Sequence, residues 1–287
     1  MDRDLTGGDW LDANRANWDE RVPVHVASAF YDRARLREGG SQLDPIAAAG
    51  IAELFPDGLE GVRVLHLQCH FGSDTLSLVN AGATAVGLDF SAPAVEEARR
   101  MAGELGVADR ARFIEANVYD ARHRLPEPES FDLVFTTWGT IGWLPDVAEW
   151  ARIIAWFLEP GGRLYFADGH PAAFVFDGDG GPGGLPVFSC PYTSADVIEF
   201  DDPSDYADPE ARLANSRTVE WMHPLSEVFG AMRDAGLAVE RFSEHFEVPW
   251  QIFPITAPRG DGMYGWPAEP WLPLSYEVVA RRDAPEA

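Results

Sequence analysis

The chain has 287 residues, of which 46% are hydrophobic, so it is long enough to bury a sizeable globular core. Its 22 Lys and Arg residues against 47 Asp and Glu residues give a net charge of −25, which repels phosphate backbones and anionic bilayers. We therefore expect neither nucleic acid nor an acidic membrane as a partner, whereas a pocket for a small molecule remains compatible with this charge.

The amino-terminal sequence MDRDLTGGDW lacks the basic segment and apolar run of an export signal. No apolar stretch reaches the roughly 20 residues that a membrane-spanning helix needs. Cys69 and Cys190 are far apart and have no CxxC spacing, so neither a disulfide framework nor a zinc site is indicated. We expect a cytoplasmic protein; its assembly into homo-oligomers is left open.

The first predicted elements are helices. Between Asn14 and Leu54, apolar residues recur every three or four positions, as in Trp18, Val22 and Val26. This spacing predicts a helical cap over residues 1–58, ahead of the main sheet.

Strand and helix patterns then alternate through the middle of the chain. The strand-like segments cover residues 62–67, 84–90, 111–118, 131–137 and 161–168. Helical patterns separate them, and one of these helices has Ser91 as its predicted N-cap and Pro93 in its first turn. Such alternation predicts a parallel sheet with right-handed crossovers.

The composition changes after Asp168. Residues 170–222 are rich in Gly, Pro and aromatic residues and too broken for regular elements, so we expect an insertion that covers the substrate. A helix over 224–237 and strands over 237–248 and 272–282 complete the chain. The prediction is one α/β domain with a Rossmann-like, mostly parallel seven-stranded sheet, helices on both faces, an N-terminal helical lid and an insertion after strand 5. Its parts are residues 1–58, 59–169, 170–222 and 223–287.

The turn between the first strand and its helix lies in VLHLQCHFGSDTLSL, which begins at Val64. A dinucleotide site needs glycines at this turn so that the backbone can approach a pyrophosphate. Here Gln68 and His70 add side chains, and Asp74 places a negative charge at the helix start. The turn therefore favours a ligand without phosphates, such as S-adenosylmethionine.

With these residues the chain resembles the class I S-adenosylmethionine-dependent methyltransferases, from about Val62 to Asp168. The resemblance implies a Rossmann-like fold, the cofactor S-adenosylmethionine and the product S-adenosylhomocysteine. His66 stands where the family usually has an acidic residue, Gln68 and His70 stand at its first two glycines, and Gly72 is retained. The predicted contacts to the methionyl part of the cofactor include His66, Gln68 and Gly72.

Asp89, which ends the second strand, matches the family's acidic residue that accepts both ribose hydroxyls. The alternative is a helix-capping or surface aspartate. Phe90 would cover the adenine ring unless it is a core residue. Asn117 stands at the family's adenine-reading aspartate, with a simple turn asparagine as the alternative, and Val118 would offer its backbone N–H.

Two further places in the sequence are candidates for contact with the cofactor. Thr137 lies at the end of the fourth strand, where the family's backbone carbonyls hold the methionyl amino group, while Trp138 beside it could equally be packing. Tyr31, with Trp18 and His25, could close over the sulfonium through cation–π attraction or pack as an aromatic stripe on the sheet.

Methyl transfer needs a base only when the nucleophile must lose a proton. The candidates are Asp168 and His170, after the fifth strand, and His223, before the last helix. Each has a structural alternative, since Asp168 could bind a backbone N–H and His-Pro pairs are common in turns. No metal site is predicted, because His66 and His70 are four residues apart across a strand-to-loop break.

The aromatic residues of the insertion and of residues 250–271 predict an apolar enclosure for a small organic molecule. The predicted function is therefore a small-molecule methyltransferase, with secondary metabolism as the expected setting. Two alternatives remain open: a non-catalytic protein with a degenerate cofactor pocket, and an NAD-dependent oxidoreductase.

Overall fold

A computed structural model describes residues 4–31, 33–193 and 197–283. A seven-stranded sheet runs through its centre, and two small sheets accompany it. The strands are β1 (Arg63–Leu67), β2 (Thr84–Asp89), β3 (Ala111–Glu115), β4 (Phe131–Thr137), β5 (Leu158–Gly169), β6 (Ile198–Asp201), β7 (Arg217–Glu220), β8 (Leu237–His245), β9 (Glu247–Val248), β10 (Ala257–Gly260), β11 (Met263–Gly265) and β12 (Ser275–Arg282).

The large sheet has the strand order β3-β2-β1-β4-β5-β12-β8. Strands β1 to β5 pair in parallel, whereas β12 pairs antiparallel with both β5 and β8. The chain order reverses beside β1, so the carboxyl ends of β1 and β4 flank the point where an open α/β sheet binds ligands. The predicted mostly parallel seven-stranded sheet is confirmed.

Helices cover both faces of this sheet. They are α1 (Asp9–Ala27), α2 (Arg33–Arg37), α3 (Pro45–Leu54), α4 (Ser73–Asn80), α5 (Ala92–Glu104), α6 (Ala121–Arg124), α7 (Val147–Phe157) and α8 (Leu225–Asp234). Trp150 of α7 and Met232 of α8 are buried in the core on one face, and Leu76 of α4 and Val95 of α5 in that on the other. Across the described ranges, no helix combines the length and the apolar character that crossing a membrane requires.

Polar side chains at the helix starts explain several boundaries. Ser91 accepts a hydrogen bond from the backbone N–H of Ala94, so it is the N-cap of α5 as predicted. Asp44 caps α3 in the same way, by accepting from the N–H groups of Ile46 and Ala47. These caps satisfy N–H groups that have no partner within their own helix.

The insertion contains more regular structure than the sequence predicted. Strands β6 and β7 pair antiparallel, and the side-chain amide of Asn14 on α1 bonds both the N–H and the C=O of Val219 on β7. This contact ties the insertion to the N-terminal helix. The expectation of no regular elements over 170–222 was wrong, because residues 198–201 and 217–220 form paired strands within the insertion.

The predicted strand over 237–248 is two strands. Strand β8 stays in the large sheet up to His245, and β9 joins β11 and β10 in a small sheet. Alternating apolar and polar residues continue through the bend at Phe246, so periodicity alone gives no sign of the break.

Candidate functional site

A cavity of about 390 Å³ opens at the carboxyl ends of β1, β2 and β4. Its volume lies within the range of roughly 300–1,000 Å³ that is typical of small-molecule sites. The loop between β1 and α4 forms one wall, and the turn after β4 forms another. Trp18, Phe30 and Tyr31 close it from the N-terminal cap, and Tyr206 of the insertion and Trp250 complete the rim.

The β1–α4 loop keeps a backbone conformation suited to glycine, although Gln68 and His70 stand where the resemblance places two glycines. Gln68 has φ 57°, His70 has φ 51° and Gly72 has φ 80°, all in the left-handed region. The Gln68 side chain donates to the carbonyl of Thr140 over 2.8 Å, so it ties this loop to the turn after β4. The two replacements therefore preserve the turn and line the cavity with side chains.

Asp89 is buried at the end of β2 and lines the cavity beside Phe90. Its Oδ2 accepts from the N–H of His70 over 2.7 Å, and its Oδ1 accepts from the N–H of Ser91 over 2.9 Å. Burial raises the pKa of Asp89 to about 6 against the opposing effect of these hydrogen bonds. Each oxygen retains lone-pair capacity for a ligand hydroxyl, so the structural and binding roles are compatible.

Asn117 and Val118 line a recess of about 30 Å³ that shares Gln68, Asp89 and Phe90 with the main cavity. The Asn117 amide donates to the carbonyl of Leu5 over 2.9 Å and accepts from the N–H of Tyr119 over 3.1 Å. The structure thus places both residues next to the cavity rather than in its main wall. Their role toward an adenine ring stays a prediction.

His66 and Thr137 face the cavity from neighbouring strands. Nδ1 of His66 lies 2.8 Å from the hydroxyl of Thr75, and burial lowers the pKa of His66 to about 3, so its ring is neutral. The hydroxyl of Thr137 donates to Asp74 over 3.4 Å.

Asp44 and Asp74 both line the cavity, although the sequence predicted neither as a site residue. Burial, followed by the negative charge of Asp44, raises the pKa of Asp74 to about 7. Burial also raises the pKa of Asp44, against hydrogen bonds from Ala47 and the Trp138 indole. The available signals were the N-cap position of Asp44 before Pro45 and the acidic start of α4.

The cavity is acidic. Asp44, Asp74 and Asp89 supply three carboxylates, and neither Lys nor Arg is found among the described residues that line it. Such a wall repels a pyrophosphate and attracts a cationic group. This is the opposite of the phosphate-binding turn of a dinucleotide site.

Three further polar atoms in this wall are buried and lack a hydrogen-bond partner within the described chain. They are Oγ of Ser73, Oε1 of Gln42 and Oε1 of Gln68. A buried polar atom without a partner costs about 1–3 kcal/mol, so these atoms favour a ligand with donors and acceptors. A zwitterion with a ribose and a sulfonium fits these acceptor oxygens and the Ser73 hydroxyl.

The prediction that Asp168 faces the reacting atoms requires correction. Asp168 is buried beside the cavity wall rather than in it. Its Oδ1 accepts from the N–H groups of Gly139 and Gly169 over 2.6 and 2.7 Å, and its Oδ2 accepts from the N–H of Thr140 over 3.0 Å. Asp168 is therefore a positioning residue that fixes the turn after β4, because its lone pairs are committed to backbone donors.

His170 and His223 also lie outside the cavity lining. Nδ1 of His170 accepts from the N–H of Ala172, and its Nε2 lies 3.2 Å from Glu244 without hydrogen-bond geometry. Nε2 of His223 lies 2.7 Å from the carbonyl of Leu144, and its Nδ1 lies 3.2 Å from Glu227. The structure does not bring these predicted catalytic histidines to the site, because local backbone and surface partners hold both rings.

Tyr31 lines the cavity, and its hydroxyl lies 2.7 Å from that of Tyr206. The N-terminal cap and the insertion thus meet at the rim. His66 and His70 have separate partners, Thr75 and His25, and no metal-binding group of three or more ligands occurs in the ranges that the structure covers.

Comparison with known proteins agrees with this geometry. A family model described as a methyltransferase domain matches residues 64–162. The ubiquinone biosynthesis O-methyltransferase of Ralstonia nicotianae is 33% identical over 135 residues, which are 47% of this chain and 54% of that relative. The chain thus spans about half the length of that curated relative.

Two solved structures share the fold. An S-adenosylmethionine-dependent methyltransferase from Mesorhizobium loti has a TM-score of 0.54 at 20% identity, covering 82% of this chain and 96% of that chain. Geranyl diphosphate C-methyltransferase from Streptomyces coelicolor, solved with Mg²⁺, geranyl diphosphate and S-adenosylhomocysteine, has a TM-score of 0.55 at 16% identity. The alignment with the latter covers 96% of this chain and 98% of that chain.

Proposed function

Because residues 64–162 form a methyltransferase domain with the class I S-adenosylmethionine-dependent fold, we propose that the protein methylates a small, largely apolar organic molecule. S-adenosylmethionine would be the donor and S-adenosylhomocysteine the product. The observation that carries the proposal is the acidic cavity at the carboxyl ends of β1, β2 and β4. Its three carboxylates and absence of a lining Lys or Arg within the described chain suit a sulfonium and an ammonium group.

Each part of the donor has candidate partners in this wall. The carboxylate of Asp89 would accept the two ribose hydroxyls, with Phe90 beside the adenine and Asn117 and Val118 at its edge. Asp74 and Asp44 would face the α-ammonium, in place of the family's acidic residue at the His66 position. When bound, S-adenosylmethionine supplies a methyl group on a positively charged sulfur.

The acceptor side is aromatic. Trp138, Trp143, Trp250, Phe30 and Tyr206 all line the cavity. These rings would exclude water and orient an apolar acceptor against the donor. Orientation of that kind supplies about 7–11 kcal/mol of the barrier in well-aligned reactions.

Titration calorimetry tests the donor assignment without knowledge of the acceptor. We expect S-adenosylmethionine and S-adenosylhomocysteine to bind, and NAD to bind more weakly than either or not at all. NAD binding tighter than S-adenosylhomocysteine would contradict the proposal and favour an oxidoreductase. Binding without product release across a broad acceptor panel would instead favour a non-catalytic pocket.

A further inference from the structure

Three side chains from distant parts of the chain form a hydrogen-bonded row that ends at the cavity. Asp205 belongs to the insertion, His25 to α1 and His70 to the β1–α4 loop. Oδ2 of Asp205 lies 2.9 Å from Nε2 of His25, and Nδ1 of His25 lies 2.8 Å from Nε2 of His70. His70 lines the cavity, whereas the side chains of His25 and Asp205 have no exposed surface.

The carboxylate at the inner end of this row is held rigidly. Oδ1 of Asp205 accepts from the N–H groups of Ala207 and Asp208, and its Oδ2 also accepts from Arg21 over 2.9 Å. Burial acts to raise the pKa of Asp205, but the hydrogen bonds from His25 and from the Ala207 N–H, together with Arg21, outweigh it and lower the pKa to about 2. Asp205 is therefore ionised at neutral pH and can only accept a hydrogen bond from Nε2–H of His25.

This acceptor sets the direction of the whole row. In a neutral His25 ring with a proton on Nε2, Nδ1 carries a lone pair and accepts from Nε2–H of His70. Nδ1 of His70 is then unprotonated and carries a lone pair. Within the described chain this atom has no hydrogen-bond partner. Burial lowers the pKa of His70 well below its ordinary value, which keeps that lone pair free near neutral pH.

Aromatic rings pack around His70. The ring of Trp18 lies 5.3 Å from its ring and that of Tyr31 lies 6.0 Å away, both edge to face. The other titratable or charged groups near the row are Arg21, Tyr206, and Asp89, which accepts from the backbone N–H of His70.

We propose that Asp205, His25 and His70 form a proton relay that acts as the general base, and that the acceptor is a phenolic or enolic hydroxyl. The inference rests on the proposed function. As the acceptor oxygen forms its bond to the methyl carbon, the methyl–sulfur bond breaks and its electron pair stays on sulfur. The hydroxyl proton moves to Nδ1 of His70, and the proton on Nε2 of His70 moves to Nδ1 of His25.

The proton then resides on a His25 imidazolium paired with the Asp205 carboxylate, which compensates for the weak basicity of His70 alone. A relay of this kind serves an acceptor that must lose a proton, such as a hydroxyl. A neutral amine attacks with its own lone pair, whereas a hydroxyl becomes a strong nucleophile only as its proton leaves. His70 is the catalytic residue of the row, and His25 and Asp205 are positioning residues that act through it.

Histidine ¹⁵N NMR of the S-adenosylhomocysteine complex tests the relay without any acceptor. We expect an unprotonated Nδ1 and a protonated Nε2 on His70, and a proton on Nε2 of His25. Asp205→Asn should disturb this tautomer pattern, whereas Asp202→Asn, an exposed aspartate of the same segment, should leave it unchanged. A protonated Nδ1 on His70 in the parent protein at neutral pH overturns the proposal.

Single-turnover transfer to 4-nitrophenol, 4-chlorophenol and 4-methoxyphenol, with benzylamine for comparison, tests the acceptor class. His70→Gln should lower the rate by about 10²–10⁴-fold, most for the least acidic phenol, with affinity for S-adenosylhomocysteine within about threefold of the parent. Asp205→Asn should move the pH–rate profile toward higher pH, because with a weaker base the reaction depends more on phenol that has already ionised. Asp202→Asn should leave the profile unchanged.

Single-turnover rates in His70→Gln within about threefold of those of the parent overturn the relay. The relay is also overturned if the parent methylates benzylamine and none of the phenols. If S-adenosylhomocysteine binds but no phenol reacts, the hydroxyl assignment is wrong. Failure of the protein to bind S-adenosylhomocysteine at all instead rejects the proposed function, which separates the two outcomes.

Discussion

The indole Nε1 of Trp138 donates a hydrogen bond of 2.6 Å to Oδ2 of Asp44. The bond joins the turn after β4 to the N-cap of α3, so it fixes the strand ends against the N-terminal cap. Trp138 has a left-handed backbone, with φ 56°. The next two residues, Gly139 and Thr140, donate their backbone N–H groups to the carboxylate of Asp168. The turn after β4 is therefore held from two sides, by the N-cap of α3 and by the end of β5, before any ligand binds.

Trp138→Phe should destabilise the protein by about 1.5–3 kcal/mol, because Asp44 would lose a hydrogen bond to its buried carboxylate. For a chain of this size we expect a melting temperature lower by about 3–10 °C in thermal unfolding. Trp250→Phe is the control, since Trp250 lines the same cavity and packs edge to face on Trp138. Equal losses in the two variants would mean that ring packing, not the hydrogen bond, is responsible.

Asp89→Ala should weaken binding of S-adenosylhomocysteine by about 1.5–3 kcal/mol, the usual cost of losing hydrogen bonds to a charged group. It should also lower the melting temperature, because the N–H groups of His70 and Ser91 lose their acceptor. Calorimetry measures the affinity, and Asp109→Ala at an exposed position outside the cavity is the control. Unchanged affinity in Asp89→Ala would leave Asp89 with only its structural role.

Binding of S-adenosylhomocysteine should strengthen as pH rises through about 7. Asp74 has a pKa raised to about 7 by burial and by Asp44, so below that pH it must release a proton to pair with the ligand's ammonium. We expect roughly tenfold weaker binding at pH 6 than at pH 8. Asp89, whose pKa is raised to about 6, and Asp44 face the same cavity. Their protonation should make the affinity fall more steeply at acid pH.

Asp74→Asn is the matching control, and its affinity should vary less with pH. The ligand-free protein gives a second readout. A raised carboxyl pKa means that the folded state binds more protons than the unfolded state between about pH 4 and 7, so this residue lowers stability as pH rises through that window. Urea unfolding at pH 5 and pH 8 should show that loss in the parent and less of it in Asp74→Asn.

Asp168→Asn should weaken both the fold and donor binding. The new amide NH₂ would face backbone N–H groups that now donate to a carboxylate, chiefly those of Gly139, Thr140 and Gly169. We expect a lower melting temperature and at least tenfold weaker binding of S-adenosylhomocysteine by calorimetry. A variant with parental affinity and stability, yet a single-turnover rate about 10²–10⁴-fold lower, would restore Asp168 as the base.

The sequence predicted the sheet well because alternating strand and helix patterns are local. Strand β4 was predicted with its observed bounds, and the Ser91 cap was also correct. The site was predicted less completely because its polar contacts join distant segments. Asp168 has the position of a catalytic residue, yet its partners lie about 28 residues earlier, and the pairing of His25 with Asp205 spans 180 residues. No local pattern carries that information.

Gly72 shows why one family glycine is retained while two are replaced. A Cβ built on Gly72 would lie 2.6 Å from Cε1 of Phe113 and 3.1 Å from Cβ of Ala98, and its φ of 80° disfavours a side chain. Gln68 and His70 share the left-handed backbone, but their side chains extend into the cavity wall. Space rather than backbone conformation alone therefore requires glycine at position 72.

Gly72→Ala should destabilise the protein by about 2–5 kcal/mol, from about 1–2 kcal/mol of left-handed strain and about 1–3 kcal/mol of overpacking. Gly106→Ala is the control, because Gly106 has φ 69° but no atom within 4 Å of its added Cβ, so it measures the strain alone. Denaturant unfolding of both variants should show the larger loss for Gly72→Ala. Gly72→Ala should also weaken S-adenosylhomocysteine binding, because Gly72 lines the cavity and relief of the clash with Phe113 would shift the start of α4. If the two variants lose equal stability, the contact with Phe113 is not what requires this glycine.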